Sequence, residues 1–144
     1  MNSPAAIAAM LGHPPADPRT IVVIGLSDNP AKASHSVSAY MQAHGYRIFP
    51  VNPALLDINP AATVLGEQVY ASLTDLPLKP DVVNVFRLPK FIPAIVDEMI
   101  ALNLPSLWVQ LGLLHTESAE RAEAAGIQVV MDRCILIEHR RLSL

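Results

Sequence analysis

Short runs of apolar residues recur along the chain, separated by segments whose apolar positions fall at helical spacing. Residues 21–24, 47–51, 81–86, 107–109 and 127–131 are the runs. They are too short for helices, rich in Val and Ile, and apolar on both faces, which predicts buried parallel strands. Between them lie the helical stretches. After the first strand, Val37, Tyr40 and Met41 share one face, Ser34 or Ser36 can cap the start, and Gly45 suits the stop. Beyond 81–86, Ile92, Ile95, Val96, Met99 and Leu102 form a stripe, and Pro93 is tolerable in a first turn. Thr116 can cap a helix running to Ala125, which Gly126 ends. Residues 134–142 predict a last helix.

Residues 4–11 predict a short leading helix with Pro4 in its first turn, ended by Gly12 and the Pro-rich 14–18 connector. The expected organisation is therefore an N-terminal helix and connector over 1–18 and one domain over 19–144. Residues 54–66 read as a loop, 68–70 as a short edge strand, and 73–76 as a helical turn. Strands alternating with helices imply right-handed βαβ units. The expected class is α/β, a Rossmann-like doubly wound parallel sheet in three αβα layers. The expected strand order is 3-2-1-4-5-6, with 68–70 as strand three.

In such a sheet a ligand lies beyond the C-terminal strand ends, at the point where the order reverses. That rule selects Gly25, Ser27, Lys32 and Ser34 after the first strand and Asn52-Pro53 after the second. It also selects Phe86, Arg87 and Lys90 after the 81–86 strand, Gln110 to Gly112 after the next, and Arg133-Cys134 after the last. Gly25 permits close backbone approach. The helix start at 34–36, with Ser36 in it, offers free N–H groups to a phosphate. Lys32, Arg87 and Lys90 supply the cations.

Composition narrows the choice. The 144 residues carry a net charge of −3 with no basic block, which argues against nucleic acid as a partner. No apolar run reaches the roughly 20 residues of a membrane span. No basic leader precedes the first helix, and the single cysteine, Cys134, cannot build an internal disulfide, so a cytoplasmic setting is expected. The five histidines form no metal pair on one helix face, and no nucleophile–base–acid set stands out, so neither a metal nor a catalytic residue is expected. His35, His139 and Trp108 read as structural, whereas Phe86 is as readily a ligand contact as a core residue.

The corner after the first strand has one glycine where a dinucleotide fingerprint needs three. The second strand ends in Asn52-Pro53, where an NAD site needs an acid for the ribose hydroxyls. Both departures point away from NAD, and a neutral amide tolerates a phosphorylated ribose such as that of coenzyme A. Five blocks in order carry a resemblance: Val-Ile-Gly-Leu-Ser at 23–27, residues 45–53 (Gly-Tyr-Arg-Ile-Phe-Pro-Val-Asn-Pro), Val-Phe-Arg at 85–87, Leu-Trp-Val-Gln-Leu-Gly at 107–112, and Val-Val-Met-Asp-Arg-Cys at 129–134. Over about residues 20–142 the chain resembles the small CoA-binding protein family, related to the N-terminal domain of the succinyl-CoA synthetase α subunit. The resemblance implies coenzyme A or an acyl-CoA as ligand, with Gly25, Ser27, Asn52, Pro53, Phe86 and Arg87 at matching positions. It does not bring the synthetase's activity, because the phosphorylated histidine and partner subunit lie outside the matched region.

Cys134, next to Arg133 at an expected helix start, is placed to form a mixed disulfide with the CoA thiol. Its plainer reading is a small buried hydrophobe. The leading expectation is a CoA-binding module without catalysis of its own. Two rivals are a partner-dependent acyl-CoA ligase or transferase component, and an interaction protein responsive to NAD(P) or an adenine nucleotide. A homodimer or a protein partner is compatible with each.

Overall fold

The computed structural model describes residues 1–143. In chain order the elements are α1 (Pro4–Leu11), β1 (Thr20–Ile24), α2 (Ala33–Ala43), β2 (Arg47–Val51), α3 (Pro53–Ile58), β3 (Thr63–Val64) and β4 (Glu67–Gln68). They continue with β5 (Val82–Val85), α4 (Ile92–Leu102), β6 (Ser106–Val109), α5 (Thr116–Ala124), β7 (Gln128–Met131) and α6 (Ile135–Ser143). Five strands make one parallel sheet in the order β2-β1-β5-β6-β7. The order reverses between β1 and β5, which sets the switch point there.

Each strand is apolar on both faces because both faces are covered. Val22, Ile24, Phe49, Val83, Val85, Leu107, Val109 and Val129 pack against α4 and α5. Ile21, Val23, Ile48, Val82, Trp108 and Val130 pack against α1, α2 and α6. The expected three-layer α/β class is the observed one. Trp108 is fully buried, and its Nε1 donates to the Arg133 carbonyl at 2.9 Å, so it is a core residue. Among the described residues no helix is long and apolar enough to cross a membrane.

The strand order differs from the expected one at its edge. Residues 67–68 fold back on Thr63–Val64 as a hairpin, with Leu65 and Gly66 both at positive φ (+55° and +76°). That is the turn pattern that matches strand twist in two-residue hairpins. The hairpin takes the hydrogen bonds of 67–68, so only Tyr70 reaches the sheet, as a single parallel bridge to Val51. The 54–66 segment is likewise not all loop. Pro53 opens α3, and Asn52 caps it by accepting the Leu55 N–H at 3.4 Å.

Two caps also move. The α2 cap is Lys32, not Ser34 or Ser36, and it makes no side-chain capping bond. The α5 cap is His115, whose Nδ1 accepts the Ser118 N–H at 3.2 Å, so Thr116 is the first helical residue. Gly45 and Gly126 take positive φ after their helices, as expected. At the far edge of the sheet, the Asn2 side chain faces β7. Its Nδ2 donates to the Met131 carbonyl at 2.7 Å, and its Oδ1 accepts the Met131 N–H at 2.8 Å.

Candidate functional site

The loop leaving β1 is fastened on both sides. Gly25 N–H donates to the Val51 carbonyl at 2.9 Å, and Phe86 N–H donates to the Ile24 carbonyl at 3.0 Å. Leu26 turns inward and is fully buried, and its carbonyl accepts the Asn52 Nδ2 at 3.0 Å. Asn52 therefore does two jobs that the sequence did not separate: it caps α3 and it pins the β1 corner to the end of β2. Gly25 sits at φ +89°. A Cβ there would stand 3.0 Å from Arg87 Cδ and 3.3 Å from the Phe86 carbonyl oxygen. Gly25 thus lets Arg87 and the Phe86 carbonyl pack closer to the corner than a Cβ would readily allow.

Beyond the corner, short polar side chains shape the loop. Ser27 N–H donates to Ser34 Oγ at 3.0 Å, and Ser27 Oγ accepts the Asn29 N–H at 3.0 Å. Asn29 in turn accepts the Ala31 N–H through Oδ1 and the Lys32 N–H through its carbonyl. His35 and Ser36 donate their N–H groups to the Lys32 carbonyl. Among the described residues, this leaves the Ala33 and Ser34 N–H groups as the free donors of the first turn of α2. The Ser36 hydroxyl donates to the Ala33 carbonyl at 3.3 Å on an exposed surface.

The cations come from two directions. Lys32 is exposed at the α2 cap. Arg87 follows β5, half-buried, with its guanidinium 3.8 Å from the Phe91 ring centroid and its side chain beside Gly25. Lys90 Nζ lies 5.2 Å from the same ring. Stacking on Phe91 holds the Arg87 plane while leaving its N–H edges available. Among the described residues the ion pairs engage Glu123, Asp17, Asp97 and Glu138, so Lys32, Arg87 and Lys90 are in none. Asp28 is the one carboxylate of the loop, and it is exposed.

Phe86 is half-buried against the α1, α2 and α6 side of the core, and Pro53 is exposed in the first turn of α3. The structure thus gathers Gly25, Ser27, Ser34, Asn52 and Arg87 around one corner through direct bonds and contacts. Cys134 stands apart, two strands beyond β5 and just ahead of α6, where its carbonyl accepts the Glu138 N–H. It is half-buried and free.

Two further polar residues position this edge. Asn84, buried in the middle of β5, donates through Nδ2 to the Trp108 carbonyl at 3.2 Å and to Gln110 Oε1 at 3.5 Å. Gln110 Oε1 also accepts the Ile135 N–H at 3.4 Å, tying the start of α6 to the sheet. The signal in the sequence was the single amide within Val-Val-Asn-Val, where an apolar residue was otherwise expected. Phe91, the platform for Arg87, carried no such signal.

A doubly wound parallel sheet with a glycine corner, a fastened helix start and uncommitted cations at its switch point defines a Rossmann-like α/β domain. The model of the CoA binding domain family matches residues 19–140, and the chain belongs to that family. It is 37% identical over 121 residues to the Bacillus subtilis (strain 168) protein YneT, covering 84% of this chain and 85% of that protein. The Thermus thermophilus protein solved as cell-free ID.343 superposes with a TM-score of 0.86 at 35% identity, over 97% of this chain and 98% of its own. The fold recurs, with TM-score 0.65 and 19% identity, in the dinucleotide-forming acetyl-coenzyme A synthetase 1 of Ca. Korarchaeum cryptofilum. That match covers 87% of this chain and 28% of the synthetase.

Proposed function

We propose that the protein binds coenzyme A or an acyl-CoA at the β1–β5 switch point and does not turn it over alone. The observation that carries this reading is the meeting, at the switch point, of the Gly25 turn, the free Ala33 and Ser34 N–H groups and the Arg87 guanidinium, which is in no ion pair among the described residues. The residues present suit the ligand. Pyrophosphate would lie against Gly25 and Ser27, with the Ala33 and Ser34 N–H groups and the α2 dipole facing it. Lys32 and Arg87 supply positive charge that no carboxylate among the described residues has claimed. Asn52 and Pro53 would form the wall towards the nucleoside, and the neutral Asn52 amide suits a phosphorylated ribose better than an acid would.

Coenzyme A would contribute a thiol for acyl chemistry; the chain's own groups bind and orient it.

The test is a thermal-shift panel of CoA, acetyl-CoA, dephospho-CoA, NAD, NADP and ATP on the full chain. A ligand at 100 times its Kd stabilises a fold by about 2.7 kcal/mol. For a domain of this size that raises Tm by roughly 5–10 °C. CoA is expected to give the full shift and dephospho-CoA a smaller one. No shift with CoA or acetyl-CoA at millimolar concentration, with NAD or ATP active instead, would replace this reading by the adenine-nucleotide one.

A further inference from the structure

Beyond the ends of β6 and β7, beside α6, lies a hollow of about 380 Å³ whose charged and thiol lining is Asp132, Arg133, Cys134, Glu138 and Arg141. We propose that it is a second ligand site, which takes a small oxyanion, a carboxylate or a phosphate, on the guanidinium groups of Arg133 and Arg141. The site is separate from the Gly25 corner and does not depend on coenzyme A binding there. Neighbouring strands are about 4.8 Å apart and β7 lies three strands from β1, so roughly 14 Å of sheet edge divides the two places.

The open hydrogen-bonding capacity of the two arginines is the first argument. Both converge on one oxygen. Arg141 Nη1 donates to Glu138 Oε1 at 2.9 Å, and Arg133 Nε stands 4.0 Å from the same atom, beyond hydrogen-bond reach. Arg133 Nη1 donates instead to the Asp132 carbonyl at 3.0 Å. A guanidinium carries its N–H groups in a planar fork that matches an oxyanion with two parallel bonds. Among the described residues each arginine spends one nitrogen, and the rest of each fork stays open.

Depth is the second argument. Formally the lining balances, with Arg133 and Arg141 against Asp132 and Glu138. The charges are not equally within a ligand's reach. The Glu138 side chain is 9% exposed, whereas those of Arg133 and Arg141 are 44% and 68% exposed. Glu138 therefore lies beneath the arginines and holds Arg141 from behind. The Asp132 carboxylate is tied to the loop after β6, where it accepts the Gly112 N–H at 2.7 Å. An entering anion meets guanidinium first, and a cation would have to pass both arginines to reach Glu138. The volume is that of a small-molecule pocket, so the anion can be one end of a short organic acid or phosphate ester.

Cys134, the single cysteine of the chain, is half-buried in the wall of the hollow and makes it readable. The experiment measures the rate of Cys134 alkylation by iodoacetamide, a neutral reagent, on the full chain. Inorganic phosphate, acetate and succinate are the probes, each against sodium chloride at matched ionic strength. The Nε–H signals of Arg133 and Arg141 are followed in parallel by NMR. A bound oxyanion is expected to slow alkylation several-fold, saturably, and to shift both signals. Arg133→Gln and Arg141→Gln change exposed side chains, and each removes a charge-assisted donor. Each should raise the half-saturating concentration by about tenfold or more. Lys32→Gln, at the other site, should leave the protection in place. Protection by phosphate alone assigns a phosphate-bearing ligand, and protection by acetate or succinate alone a carboxylate-bearing one. Neither protection nor shift with any probe would overturn the site. So would protection that both arginine variants keep, or that Lys32→Gln abolishes.

Discussion

Ser27 N–H donates to Ser34 Oγ across 3.0 Å, so the loop leaving β1 is closed onto the first turn of α2. Ser34 thereby holds the shape of the corner through its hydroxyl oxygen. Ser34→Ala would leave the Ser27 N–H without its partner, at a cost of about 1 kcal/mol. Urea unfolding should register that loss, and CoA affinity should fall several-fold because the loop is less ordered. Unchanged affinity would mean that the loop's shape does not matter to the ligand.

Gly25→Ala tests the corner directly. The alanine must adopt φ near +89° with its Cβ against Arg87. The backbone strain alone is about 1–2 kcal/mol, which lowers Tm by a few degrees. CoA binding should drop by more than tenfold, because the methyl crowds Arg87 out of its place beside the corner. Arg87→Ala separates the two effects. It should leave stability nearly intact yet weaken CoA, and a calorimetric comparison with Gly25→Ala shows which loss is steric.

Acid should destabilise the protein through His139. Its Nδ1 lies 2.8 Å from the Tyr40 hydroxyl, with the rings of Tyr40, His44 and Tyr46 within 5.6 Å. Arg140 lies over the Tyr40 ring at 5.3 Å. Burial, and then the neighbouring His44, hold the His139 pKa below its ordinary 6.5. The unfolded chain therefore takes up the proton first, and stability declines as pH falls below about 6.5. His139→Gln should flatten that limb of a pH–stability curve. The alkaline limb belongs to Tyr46, whose pKa burial pushes up to about 12. Unfolding frees its proton more readily above pH 10, so stability falls there, and Tyr46→Phe should remove the dependence.

Cys134 offers a separate readout of where the CoA thiol arrives. In exchange with CoA disulfide, the Cys134 sulfur forms a bond to one CoA sulfur. The CoA–CoA bond breaks, and the departing CoA leaves as a thiol carrying the Cys134 proton. Intact mass should rise by one CoA less two hydrogens. If the arm delivers the disulfide, labelling should outpace that by cystamine at equal concentration and slow in Arg87→Ala. Equal rates for the two disulfides would place the CoA thiol elsewhere.

The sheet was legible because each strand is apolar on both faces, a pattern that helices at this spacing do not share. The five main strands and Gly25 at the switch followed from it. The edge was not legible. Residues 68–70 look like a strand, but the positive φ of Leu65 and Gly66 commits 67–68 to a hairpin, and leucine gives little warning of such a turn. Serines misled in a similar way. Ser34 and Ser36 both look like caps, yet one is bonded to the β1 loop and the other to its own helix. Local preference names the residue type for an N-cap, whereas tertiary contacts decide which hydroxyl is spent elsewhere. Asn52, Arg87 and Gly25 were identifiable by position at the strand ends. Phe91 was not, because its role is to support Arg87 from outside the motif.

The amide of Asn2 has a consequence for the molecule in company. β7 is an outer strand, and an outer strand invites any passing extended chain to continue the ladder. Asn2 occupies both hydrogen-bonding groups of Met131, as the backbone of one more strand would. A would-be neighbour must displace it before it can pair there. Asn2→Ala should therefore leave each molecule folded while making concentrated solutions associate through that edge, a change that light scattering over time would reveal.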